Sequence, residues 1–171
     1  MRLFQTLIAT LGLCLALTTN ATAADSSKLS GTRFEMEVPT GWAPGYKDLD
    51  NLLMLFFKDP KTGNTLEGVY LRKVQGPEFT LDDFKKWRIG AEGKRYDGKD
   101  HTVIGEGALT VAGEPGNYLH TTWKDGGKVY EKHTAQYLKD GGQYMVVLWG
   151  EKGKIDKTVF DQAVKSFGLV K

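Results

Sequence analysis

Residues 34–39 alternate between apolar and polar. Phe34, Met36 and Val38 fall on one side, Glu35 and Glu37 on the other. That period of two predicts a half-buried strand, and Pro39 and Gly41 end it. Residues 52–57, LLMLFF, are apolar without alternation and lie between Asn51 and the turn residues Asp59-Pro60 and Gly63-Asn64. A strand covered on both faces has this composition. Residues 66–74 then return as a strand, with Val69 and Leu71 on one side and Tyr70 and Arg72 on the other.

Between Phe79 and Arg95 the period changes. Thr80, followed three residues later by Asp83, predicts a helix N-terminus. Leu81, Phe84, Trp87 or Arg88, and Ala91 form the apolar stripe, while Lys85, Lys86 and Glu92 are expected to face away. Gly90 predicts ragged last turns, since glycine weakens a helix by roughly 1 kcal/mol relative to alanine. Four strands follow: 103–111, 118–124, 128–139 and 143–149, with a turn expected at Gly113-Glu114-Pro115-Gly116. The last segment, DKTVFDQAVKSF, is helical in pattern. Asp156 or Thr158 can cap it, and Val159, Phe160, Ala163, Val164 and Phe167 make its stripe.

Lys-Asp-Gly-Gly occurs twice, at 124–127 and 139–142. Phosphate loops need a helix after them to supply amides, and calcium loops need alternating oxygen ligands closed by a glutamate. Neither copy has these, and strand-forming sequence flanks both, so both are expected to be hairpin turns. With Gly126 and Gly127 as the two loop residues, Trp123 faces Tyr130, Thr121 faces Lys132, and His120 lies opposite His133. Glu131 falls on the same face as His133. Such a pair of imidazoles with a carboxylate can hold zinc or copper, although two histidines on a half-exposed sheet face are also expected with no ligand at all. His101, beside Asp100 in a polar loop, is expected to face solvent.

Composition and ends narrow the function. Residues 1–23 read as an export signal: Arg2, an apolar core from Leu7 to Leu17 too short to span a bilayer, and Ala21-Thr22-Ala23 before the cleavage site. Residues 24–31 read as a flexible lead-in and residues 32–171 as a single domain. Cys14 is the only cysteine and lies in the signal. The remaining chain therefore has no disulfide, thiol nucleophile or thiolate metal site. Together with the lack of a glycosylation acceptor beyond Asn20, this points to a bacterial periplasm. Lysine and arginine number 23 against 21 acidic residues, with no long basic run, so nucleic acid is not an expected partner. No second stretch approaches membrane-spanning length.

Catalytic motifs are missing. Ser26, Ser27, Ser30 and Ser166 sit in neither Gly-x-Ser-x-Gly nor Ser-x-x-Lys, and no phosphate-binding loop occurs. Gly105-Glu106-Gly107 lies inside a strand pattern and marks a bulge. Trp42, Trp123 and Trp149 are expected to pack sheet faces under the helices, with a ligand groove or protein contact as the alternative.

The run Phe34-Glu35-Met36-Glu37-Val38-Pro39-Thr40-Gly41-Trp42 resembles the opening of PsbP-like domains. Two strands, a helix opened by Thr80-Leu81, four more strands and a closing helix ending Ser166-Phe167 follow in that family's order. The resemblance implies an α+β, three-layer α/β/α sandwich around a central antiparallel sheet of about six to seven strands. It also implies non-catalytic association with other proteins, with no catalytic residue to carry over and no cofactor; some photosynthetic members bind metal ions through histidine and carboxylate, at positions that do not map onto this chain. The expected function is thus a periplasmic accessory protein binding an unidentified envelope protein, which requires an exposed apolar patch of several hundred Å². The alternative is a small-ligand or metal-ion binding protein, which requires a concave pocket with convergent polar groups. A hydrolase would need a pocket carboxylate or histidine with a perturbed pKa.

Overall fold

A computed structural model describes residues 26–30, 33–72 and 78–170, the first stretch by its backbone alone. The expected signal at 1–23 lies outside the described residues, as do Lys73 and Val74 at the expected end of one strand. In chain order the elements are β1 (Ser26–Ser30), β2 (Phe34–Pro39), β3 (Ala43–Leu49), β4 (Leu52–Lys58), β5 (Thr65–Leu71) and α1 (Leu81–Arg95). Then come β6 (Thr102–Val111), β7 (Glu114–Asp125), β8 (Lys128–Lys139), β9 (Gly142–Glu151), α2 (Lys157–Ser166) and β10 (Gly168–Leu169).

Seven strands form one sheet in the order β3-β4-β5-β9-β8-β7-β6, each pair antiparallel. A second, three-stranded sheet, β1-β2-β10, lies beside α2. Its strand β1 occupies the segment expected as a loose lead-in. Ser26–Ser30 instead pairs along β2, where backbone hydrogen bonding suffices to order small polar residues.

Both faces of the large sheet are covered. On one side Phe34, Met36 and Val38 of β2 pack with Phe160, Ala163 and Phe167 against Leu53, Phe57, Ala135 and Tyr137. On the other, Phe84 of α1 packs against Val69, Met145 and Val147. The unalternating run in β4 follows from this: Leu53, Leu55 and Phe57 serve the first core, Leu52 and Met54 the second. Burying Phe160 and Phe167 contributes roughly 1.5–3 kcal/mol each. Phe167 stacks on Phe34 with ring centroids 5.1 Å apart, fastening the small sheet to the end of α2.

Local signals explain most boundaries. Thr80 caps α1 with a full capping box, its hydroxyl accepting from Asp83 N–H and Asp83 accepting from Thr80 N–H. Asp156 caps α2. The bulge expected near Gly105 falls at Ile104, between Val103 and Gly105. Helix α1 runs unbroken through Gly90, tied down at its far end by the buried Glu92.

Three boundaries differ from expectation. Strand β3, APGYKDL, has no alternation because it is exposed on both faces; its ladder with β4 alone defines it. The turn before β7 is Ala112–Gly113, both at positive φ, so Glu114, Pro115 and Gly116 already belong to the strand. The two Lys-Asp-Gly-Gly hairpins use different residues. The first turns on Gly126–Gly127, the second on Asp140–Gly141, all at positive φ. Gly142 is withheld from the second turn because it starts β9, where a Cβ would meet the Tyr70 and Tyr144 rings at 2.8 Å.

Candidate functional site

The first hairpin has the register that a Gly126–Gly127 turn requires: Trp123 opposite Tyr130, Thr121 opposite Lys132, His120 opposite His133. Alternate residues on β7 and β8 therefore separate onto opposite faces of the sheet. Trp123, Tyr130 and Lys132 look towards α1. His120, Glu131 and His133 look the other way, towards α2.

On the α1 side a cleft of about 400 Å³ opens between the end of the helix and the sheet. Trp123, Tyr130 and Trp149 supply its aromatic surface; Trp123 stacks between Tyr130 and Tyr96, with centroids 5.4 and 4.5 Å away. Trp149 Nε1 donates to Glu67 at 2.7 Å, fixing the indole plane. Arg88, Arg95 and Lys99 line the other side. Lys99 is paired with Asp125 at 3.1 Å. Arg95 has no acidic partner among the described residues, and its guanidinium lies over the Tyr96 ring at 5.6 Å.

Beneath the cleft is a charge cluster. Glu92, only 3% exposed, accepts from Arg88 at 2.7 Å, Lys132 at 2.8 Å and the Thr121 hydroxyl at 3.1 Å, and lies 3.4 Å from His101. Burial alone would push its carboxyl up. The Arg88 guanidinium, the Lys132 ammonium and the Thr121 hydroxyl outweigh it and hold the group below the usual carboxylate range. Lys132 is as buried as its partner. Burial pushes its ammonium down and Arg88 repels it further, so that it lies at about 8 despite the pull of Glu92. Both partners move down, Lys132 chiefly through burial and then through Arg88, Glu92 because two cations serve its one carboxylate. Glu92 is thus not on the solvent face expected of it, and His101 is not exposed: its side chain is 9% accessible and stacks on Tyr96. Glu92 on α1 and Lys132 on β8 are far apart in sequence, and no motif marks the pair.

Of the three tryptophans considered, Trp123 and Trp149 line the cleft, whereas Trp42 packs on the core beside α2. On the α2 side, the His120 and His133 rings stack 4.1 Å apart, and His120 Nε2 is 3.3 Å from Glu131. Tyr118 Oη lies 2.7 Å from His133 Nδ1. Burial, then His120, pushes the His133 imidazole down to about 4.

Among the described residues the large exposed apolar side chains are spread over several elements: Tyr46 and Leu49 on β3, Trp87 on α1, Ile104 on β6, Val129 on β8, and Val170. Among the described residues no helix is long and apolar enough to cross a membrane.

No family model and no curated protein matches the chain in sequence. Solved structures do match in shape. Cyanobacterial PsbP (CyanoP) from Synechocystis sp. PCC 6803 superimposes with a TM-score of 0.68 at 16% identity, over 91% of this chain and 99% of that one. LpqN of Mycobacterium tuberculosis, described as involved in cell envelope biogenesis, superimposes with a TM-score of 0.56 at 13% identity, over 86% of this chain and 91% of that one. Identities this low speak to architecture alone. A seven-stranded antiparallel sheet between α1 and α2, matched along nearly its whole length by CyanoP, gives this chain the PsbP-like α+β fold.

Proposed function

We propose that this protein is an exported, non-catalytic accessory protein of the cell envelope, and that the cleft beside α1 is its binding site. The cleft is the observation that carries the reading. Its stacked aromatic surface suits a flat apolar face of a ligand, and Arg95, with no acidic partner among the described residues, suits a negative charge next to that face. The ligand class is therefore a small organic anion, which is the small-ligand alternative expected from sequence and not the protein partner. The envelope role is supported by the export-signal pattern of residues 1–23 and by the likeness to LpqN. General-base catalysis by Glu92 is disfavoured by the same cluster that shapes the site. A carboxylate held below its ordinary range is a weaker general base, and Lys132 is pinned between Glu92 and Tyr96.

A thermal-shift panel of benzoate, glucuronate and pyrophosphate tests this. A ligand that binds only the folded chain raises Tm, by about 2–4 °C per kcal/mol for a domain of this size. At least one of the two organic anions is expected to raise Tm, and Arg95→Glu to abolish the rise. No rise with either organic anion at about 10 mM, a concentration that would reveal even millimolar binding, or a rise that survives Arg95→Glu, contradicts the reading.

A second reading is favoured by β3. It is the outer strand of the large sheet, and Tyr46 is 75% exposed. An extended segment of an envelope protein could pair along it; protein binding is the role expected from sequence, although through an exposed apolar patch and not through a strand edge. The scattered placement of the other exposed apolar residues supports the cleft over this edge.

A further inference from the structure

We propose that His120, Glu131 and His133 form a binding site for a divalent metal ion of the zinc and copper class. One ligand atom from each residue lies within 4.8 Å of the others. Two imidazole nitrogens and one carboxylate oxygen are the donor set that such ions accept, with a fourth position left for water or an incoming ligand.

The site is built on paired strands and not on a loop. His120 and His133 are directly opposed in the β7–β8 ladder, and Glu131 is two residues along the same face. Ladder hydrogen bonds hold these Cα positions, so ligation needs side-chain rotation alone. Neighbouring groups already aim the donors. The Gly153 N–H donates to Glu131 Oε1 at 3.1 Å, leaving Oε2 turned towards His120 Nε2 at 3.3 Å. Tyr118 Oη, 2.7 Å from His133 Nδ1, can take the proton of that nitrogen as a hydrogen bond and leave the lone pair on Nε2. Outer contacts of this kind orient metal-binding histidines and carboxylates. Access is preserved as well: the side chains of His120 and Glu131 are 22% and 13% exposed, while His133 is buried behind them. Because the site is on the α2 face, it is independent of the cleft beside α1, and either assignment can fail without the other.

The test uses the full chain, stripped with chelator and titrated with zinc chloride by calorimetry and with copper(II) by electron paramagnetic resonance. The expected result is one high-affinity ion per chain and a copper spectrum split by two nitrogens. His120→Ala and Glu131→Gln should each weaken zinc binding by at least about tenfold with an unchanged circular dichroism spectrum. If His120→Ala does not fold, Glu131→Gln carries the same expectation. No zinc binding by the wild type, wild-type affinity in folded Glu131→Gln, or a copper spectrum without two nitrogens would each overturn the assignment.

Discussion

Arg88 and Lys132 converge on one buried carboxylate, and the stability of the α1 layer turns on that group. With Glu92 removed, two cations remain in a space that already lowers the Lys132 ammonium to about 8. Glu92→Gln is expected to cost about 3–5 kcal/mol, as when one partner of a buried pair is lost. Replacing Arg88, Glu92 and Lys132 together by apolar residues of similar size should cost less. Urea denaturation distinguishes the two. The pH dependence has a definite sign. Because Glu92 titrates lower in the folded chain than its ordinary 4.5, its contribution is complete above about pH 4.5 and is lost as pH falls through the folded value. Glu92→Gln should therefore flatten the acid limb of stability against pH. None of this was legible in sequence. Hydrophobic periodicity leaves the inward position open between Trp87 and Arg88 and assigns Glu92 to solvent; only the β8 partner shows that Arg88 and Glu92 turn inward while Trp87 is exposed. His101 was misread for the same reason, since its polar neighbours in sequence are not its neighbours in space.

At the scale of elements, sequence pattern was far more informative. Period-two alternation, capping residues and the Gly126–Gly127 pair specified β2, the start of α1 and the β7–β8 register, down to His120 opposite His133, and narrowed the cap of α2 to Asp156 or Thr158, of which the structure uses Asp156. Signals failed where an element is held by backbone pairing alone, as in β1 and β3, or where a glycine has two uses, as Gly142 does. The stripe of α2 gives the clearest stability prediction. Phe167 is 3% exposed, stacked on Phe34 and edge-on to Tyr137. Phe167→Asp places an unpaired charge there and leaves a cavity, each costing several kcal/mol. The expected outcome is loss of the cooperative thermal transition; a wild-type melting curve would mean that α2 and β2 do not form the layer described.

For the whole molecule, three layers leave two chemically distinct faces. The α1 face has an aromatic cleft over a charge cluster, with Arg88, Arg95 and Lys99 at its wall beside Glu67 and Asp125; the α2 face has the histidine–carboxylate group. The layered fold was anticipated only through the resemblance of residues 34–42 and of the element order to PsbP-like domains, and the likeness to CyanoP agrees with it. Sequence could not anticipate the cleft, whose surfaces come from β5, α1, β7, β8 and β9 at once. Binding at that cleft is the central functional claim, and backbone and indole NMR mapping of the ¹⁵N-labelled chain tests it most directly. On titration with glucuronate or benzoate, shifts should concentrate at the Trp149 and Trp123 indoles and at Arg95, with β3 silent. Perturbation confined to Tyr46, Leu49 and their β3 neighbours, or none at the two indoles, would contradict it.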